Sequence, residues 1–307
     1  METLNVLVSL VTENNDYQRA QEAAARAAAA KLGAHVEVIF ANNDAVHQTQ
    51  QILQYVQKSD KRPDAIIVEP VGTGMFQVAK AAVNKGIAWV LANSGADYLA
   101  QLRGPAQVPV FAVVSDHVEI GKIQGRQIAA LLGDHGTVLY LEGPGVRDVA
   151  RLRTKGMMST KPGTVAIKSL KGDWTQKSGY HAIKSWLALS TSREMNIGMI
   201  ACQNDDMANG ARQAFEEIAD SKERDAWLAL PITGCDGVAI SGQTWVRQGR
   251  LAATVISPPV TGDALHMLAS ARASHSQPPE ITLLAPSSFP VLTELKRVHA
   301  TAAGQTL

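Results

Sequence analysis

Short, almost wholly apolar runs alternate with helical segments from one end of this chain to the other, and that alternation leaves few folds open. The runs are Leu4 to Val11, Val36 to Phe40, Ala65 to Val68, Ile87 to Leu91 and Val110 to Val114. A second series follows: Thr137 to Leu141, Thr164 to Leu170, Ile197 to Ala201, Ile232 to Cys235 and Leu251 to Ile256. A strand with one wet face alternates apolar and polar residues. These runs mostly do not, so they read as parallel strands covered on both sides. The intervening segments carry helical faces. One holds Ala20, Ala23, Ala24, Ala27, Ala28 and Leu32 and stops at Gly33; another holds Ile120, Ile123, Ile128, Leu131 and Leu132 and stops at Gly133. Glycine suits the left-handed residue that closes a helix. Strands alternating with helices of this length imply an α/β fold of βαβ units, parallel sheets flanked by helices.

At 307 residues the chain is too long for one ordinary core and right for two similar α/β lobes. The expected division is 1–115 plus 257–285 for the first lobe and 116–256 plus 286–307 for the second, joined by a three-stranded hinge near Ser115-Asp116, Ile256-Ser257 and Ala285-Pro286. With 29 basic against 28 acidic residues there is no cationic excess of the kind a nucleic-acid surface needs. No apolar run reaches the roughly 18 residues that cross a bilayer. The first strand starts almost at Met1, without a basic n-region or a cleavage site, so the expected location is periplasmic if a signal has been removed and cytoplasmic otherwise. Cys202 and Cys235 each close an apolar run and read as small core residues rather than as a disulfide or metal pair.

In open parallel sheets, ligands bind beyond the carboxyl ends of the strands. At those positions this chain places Thr12 to Gln18, Asn42-Asn43-Asp44, Glu69, Asn93-Ser94 and Ser115-Asp116 in the first series. In the second it places Arg151, Asp173-Trp174, Gln203 to Asp206 and Asp236. Asn and Asp at a strand-to-helix junction commonly cap the helix, which is the reading for Asp16, Asp44 and Asp205. Glu69 reads either as a solvated strand-end residue or as one that reaches inward. Capping does not account for Tyr17 and Trp174, one per lobe, beside amides and an arginine. A polyhydroxylated ring needs that combination: an aromatic face for its C–H surface, and donors and acceptors for its hydroxyls.

At these residues the chain resembles the periplasmic sugar-binding proteins of the ribose/galactose type, the type I fold shared with the effector domains of LacI-like regulators. The likeness runs over nearly the whole chain. It rests on Gln203-Asn204-Asp205-Asp206-Met207-Ala208-Asn209-Gly210, Gly234-Cys235-Asp236-Gly237, Ala150-Arg151-Leu152-Arg153-Thr154-Lys155-Gly156, Asp173-Trp174 and Asn15-Asp16-Tyr17-Gln18. The resemblance implies ligand contacts from Asn15, Tyr17, Asn93 and Asp116 on one lobe and from Arg151, Trp174, Asn204 and Asp236 on the other. The chain departs from the family pattern in three places, four residues in all. Asn93-Ser94 stands where an Asp-Arg pair is usual, Gln18 replaces an aromatic, and Ser257 replaces a glutamine.

No dinucleotide fingerprint, phosphate-binding loop or nucleophile elbow is present, no histidines fall at metal-ligand spacing, and Gly72-Thr73-Gly74 reads as a structural helix-starting turn. The expected function is therefore non-enzymatic, without cofactor or metal. A monomeric solute-binding protein closes around a sugar or polyol and delivers it to an ABC transporter permease. The competing expectation is a sensor or chemoreceptor module with the same site, signalling ligand occupancy to a kinase or regulator.

Overall fold

The computed structural model describes residues 3–145, 148–192 and 195–297. The chain forms two compact units. The first runs through Asp116 and resumes at Pro258–Leu284; the second is His117–Ser257 with the segment from Ala285 onward. The backbone thus passes from one unit to the other three times.

The first unit opens with β1 (Asn5–Leu10), α1 (Asp16–Leu32), β2 (His35–Phe40), α2 (Ala45–Gln57), β3 (Ala65–Val68), α3 (Phe76–Asn84), β4 (Ala88–Ala92), α4 (Leu99–Arg103) and β5 (Val110–Ser115). The second contains α5 (His117–Leu132), β6 (Gly136–Glu142), α6 (Asp148–Thr160), β7 (Val165–Lys171), α7 (Gln176–Leu187), β8 (Ile197–Cys202), α8 (Asp205–Glu216), α9 (Ser221–Leu228), β9 (Ile232–Thr233), α10 (Gly242–Arg247) and β10 (Thr254–Ile256). The chain then returns to the first unit with α11 (Thr261–Ser274) and β11 (Ile281–Leu284), and β12 (Ser287–Phe289) belongs to the second.

The first sheet has the order β11-β5-β4-β3-β1-β2, all pairs parallel. Its central strands β3, β4 and β5 are buried at every residue, as doubly covered strands must be. One face packs α1 and α11 through Ala25, Ala28, Leu265 and Leu268. The other packs α2 and α3 through Ile52, Val56, Val78 and Ala82. The buried face of α1 is Tyr17, Gln18, Gln21, Ala25, Ala28 and Ala29, rotated from the alanine face read from the sequence; Ala23 and Ala27 are exposed. In so alanine-rich a helix the side chains carry little periodic signal, and packing sets the orientation.

The second sheet, β7-β6-β8-β9, is also parallel, and β10 pairs antiparallel with β12 beside it. Its helices approach closely through glycines. A Cβ on Gly121 of α5 would lie 2.0 Å from the Arg153 carbonyl oxygen of α6, and one on Gly156 would lie 2.1 Å from that of Val118. Neither space admits any side chain, so the α5–α6 contact is specified by these residues. The α/β class inferred from the alternation is the class observed. Two further short strands, β11 and β12, have no counterpart among the expected runs.

Candidate functional site

In the first unit the strand ends converge on one buried carboxylate. Glu69 follows β3 and is 3% exposed. Its Oε2 accepts from Gln18 Nε2 at 2.9 Å and its Oε1 from Asn93 Nδ2 at 3.1 Å. Gln18, standing where the family has a second aromatic, also accepts from the Val11 backbone N–H at 3.0 Å. Glu69 is thus a buried hub, the inward of its two readings, and not a solvated strand-end residue. Tyr17 is buried as well. Its hydroxyl donates towards Asn93 Oδ1 at 3.4 Å and the Pro258 carbonyl at 3.3 Å, and meets Ser115 Oγ at 3.4 Å. Asn15 caps α1, its Oδ1 accepting from Gln18 N at 3.2 Å. Asp116 closes β5, with its backbone N–H on the Leu284 carbonyl at 3.0 Å. Tyr17 and Asn93 therefore meet directly, with Asn15 two residues before Tyr17 and Asp116 next to Ser115, which the Tyr17 hydroxyl also meets.

In the second unit the polar centre is an arginine, Arg153. It is 2% exposed. Its guanidinium donates to the Gln203 carbonyl, lies 3.7 Å from Asp236 Oδ1, and sits 5.6 Å from the centroid of the Trp174 ring. Arg151 is not in this group. Its side chain is 65% exposed and its guanidinium bonds Asp148 Oδ1 at 2.8 Å. Two residues apart on a helix is about 200° of rotation, so only one of the two arginines can face the core side. The sequence does hold the signal that separates them. Val149, Ala150, Gly156 and Met157 form the buried stripe of α6, and Arg153 lies on it at helical spacing.

Gln203 ties the group together. Its Nε2 donates to the Tyr140 hydroxyl, the Ala150 carbonyl and Thr154 Oγ1 at 3.0, 2.9 and 3.0 Å, and its Oε1 accepts from Gly143 N at 2.9 Å. Gly143 in turn makes room for the aromatic ring: a Cβ there would stand 2.0 Å from Trp174 Cζ2. Asn204 caps α8 through Oδ1 to Met207 N at 2.9 Å and holds the Trp174 carbonyl through Nδ2 at 2.8 Å. So Asn15 and Asn204 are the caps at these junctions. Asp44 caps α2 as expected, with 2.8 and 2.9 Å bonds from Val46 N and His47 N. Asp16 instead pairs with Arg19, and Asp205 is buried in a different role.

Asn93, Trp174 and Asp236 have φ of 56°, 73° and 107°. For asparagine this is tolerated; for tryptophan and for aspartate at 107° it is a sparsely populated conformation, held only where surrounding structure dictates it. Cys202 and Cys235 are buried and free, and burial raises both thiol pKa values well above the usual range. Among the described residues no group of three or more His, Cys, Asp or Glu could hold a metal ion.

Each of the two units is built on a parallel sheet with helices and gathers amides, carboxylates and an aromatic at the carboxyl edge of that sheet. The family described as periplasmic binding protein domain matches residues 6–275, and the chain belongs to that family. A putative rhizopine-binding protein of Rhizobium meliloti is 28% identical over 202 residues, 62% of this chain and 60% of that protein. A xylitol-binding protein of Mycolicibacterium smegmatis is 29% identical over 222 residues, 70% of this chain and 57% of its own length. The chain therefore spans less than two thirds of each of these relatives. An ABC transporter solute-binding protein from Actinobacillus succinogenes, solved with bound D-allose, superposes with a TM-score of 0.79 at 21% identity, covering 93% of this chain and 97% of that one.

Proposed function

We propose that this protein is a non-enzymatic, periplasmic solute-binding protein that takes a sugar or polyol of about monosaccharide size and delivers it to an ABC importer. The observation that carries this reading is the second unit's cluster: a buried guanidinium between a carboxylate and an indole ring, with a capping amide alongside. Hydroxyl groups both donate and accept, so they can use Asp236 as acceptor and Arg153 as donor, while sugar C–H faces suit Trp174. The ligand is neutral: the first unit's cluster holds the carboxylates Glu69 and Asp116 and the second unit's pairs Asp236 with Arg153, so neither offers an anion a net positive charge. Within the first unit we assign ligand contact to Tyr17, Asn93, Asn15 and Asp116, and within the second to Trp174, Asn204, Asp236 and Arg153, with Arg153 rather than Arg151 as the arginine. The similarity to proteins named for xylitol binding and solved with D-allose supports both halves of the class, polyol and sugar.

A thermal-shift screen over sugars, polyols, amino acids, nucleosides and organic acids tests the reading. A ligand that binds only the folded protein adds about 2.7 kcal/mol of stability at 100 times its Kd. Stabilisation by sugars or polyols is expected. Stabilisation by an amino acid or organic acid, with none by any sugar or polyol, overturns the proposal.

A further inference from the structure

Asp205 is the first residue of α8, yet it does not cap that helix; Asn204 does. Its carboxylate points elsewhere and is 3% exposed as a residue. Oδ2 accepts from the Gly237 backbone N–H at 2.7 Å, and Oδ1 accepts from Thr254 Oγ1 at 2.7 Å. Its own N–H donates to the Cys235 carbonyl at 2.6 Å. The space around the carboxylate is cut to fit. A Cβ on Gly234 would stand 2.1 Å from Oδ1, and one on Gly242 would stand 1.9 Å from Oδ2. Three bonds therefore bind this one residue to Cys235, to Gly237 and to β10, around the single residue left between, Asp236.

Along its backbone, Asp236 N–H donates to the Val255 carbonyl of β10 at 2.9 Å and its carbonyl accepts from Ser257 N at 3.0 Å, while its carboxylate lies 3.7 Å from Arg153. Those two bonds fix the strand edge but not the turn that follows. At Asp236 φ is 107°, and at Gly237 it is 60°, where a Cβ would come within 2.6 Å of the Ile256 Cα. An unusual conformation of this kind persists only when its neighbours over-determine it. Two contacts hold the turn at Gly237: its N–H donates to Asp205 Oδ2, and its carbonyl accepts from Gln243 Nε2 at 2.8 Å.

We propose that Asp205 is a positioning residue for ligand binding: its buried carboxylate locks the Asp236-Gly237 turn in the conformation that presents the Asp236 side chain. This rests on the reading of Asp236 as a ligand contact. The lock works in either protonation state, since a neutral carboxyl keeps one oxygen to accept from Gly237 N–H and donates its proton to Thr254 Oγ1. Asparagine reproduces that pattern and alanine does not.

The test compares the full chain with Asp205→Asn, Asp205→Ala and Thr254→Val. Amide hydrogen exchange by NMR, without ligand, reads the lock directly. Asp205→Ala should speed exchange at Gly237 about tenfold or more, the loss of one bond to a charged or strongly polar acceptor. Asp205→Asn and Thr254→Val should leave it protected, and amides of β6 should not change in any variant. Binding of D-allose, xylitol and myo-inositol is then measured by calorimetry, where Asp205→Ala should lose about as much affinity as Asp236→Ala and Asp205→Asn should restore it. Gly237 remaining protected in Asp205→Ala, or affinity lost equally in Asp205→Asn, overturns the proposal. Should Asp205→Ala not fold, the exchange and affinity of Asp205→Asn and Thr254→Val decide it: loss of protection in Thr254→Val, or of affinity in Asp205→Asn, is the refuting result. If the parent protein binds no sugar or polyol, the functional reading fails while the exchange experiment still judges the lock.

Discussion

Arg153 and Asp236 should be energetically coupled in the absence of any ligand. Their charged groups are 3.7 Å apart, too long for a hydrogen bond, and attract by about 4.5 kcal/mol at an effective dielectric of about 20. Relaxation and residual water reduce this, so a coupling of about 2–4 kcal/mol is expected. Removing one partner leaves the other charge buried, which costs about 3 kcal/mol or more, whereas removing both leaves neither. The double-mutant cycle uses Arg153→Met, which keeps the length of the side chain, and Asp236→Asn, which removes the charge with the least change of shape. Urea unfolding followed by tryptophan emission suits the measurement, since Trp174, Trp186, Trp227 and Trp245 all lie in the second unit and Trp89 alone in the first. The double variant should be markedly more stable than the sum of the single losses requires. Additivity within about 0.5 kcal/mol would show that the two charges do not act as a pair and would remove the physical basis for placing Arg153 in the site.

Two further outcomes follow from the same unit. Gly143→Ala puts a methyl group 2.0 Å from Trp174 Cζ2, so the ring must move; affinity for any bound sugar or polyol should drop about tenfold with a shift in tryptophan emission, and affinity within twofold of the parent would refute the role given to the ring. Burial pushes the Asp205 carboxyl up to about 8 against hydrogen bonds from Thr254 and Gly237, with Asp206 adding to the rise and Arg153 opposing it. The folded protein then holds a proton that the unfolded chain has released, so this group's contribution makes stability fall as pH rises from about 4 to about 8 and level off above. Urea midpoints across that window should lose this component in Asp205→Asn, and an unchanged pH dependence would refute it.

The α/β class was legible because parallel strands buried on both faces are written as unbroken apolar runs, as β3, β4 and β5 are. β11 was not, because it lies at the sheet edge with Ile281 and Leu283 exposed, and an Ile-Thr-Leu-Leu stretch of four residues carries no clear period. The family likeness named both arginines of the α6 motif but did not separate the exposed one from the buried one. Arg151 and Arg153 fit the same motif, and only the burial stripe of α6 tells them apart. Glu69, Gln18 and Gln203 each looked like ordinary polar residues after a strand. Their importance lies in partners far along the chain, 51 residues for Gln18 and Glu69 and 60 for Gly143 and Gln203, which no local pattern encodes. Capping went to the neighbour of the expected residue at two junctions, Asn15 beside Asp16 and Asn204 beside Asp205, since both residue types cap equally well and tertiary contacts choose between them.

The unusual dihedrals at Trp174 and Asp236 divide two quantities that selection sees separately. Because the backbone is already bent in the free protein, a ligand meets side chains in place and need not distort the chain on arrival. The burden falls on folding stability instead, by about 1–3 kcal/mol at each such residue. Glycine would relieve that burden at either position, since it occupies positive φ without a clash. A laboratory selection for heat resistance alone would therefore favour Trp174→Gly and Asp236→Gly wherever the lost side-chain contacts cost less than the strain, and the sturdier proteins it returned would have discarded the ring and the carboxylate here proposed to hold the solute.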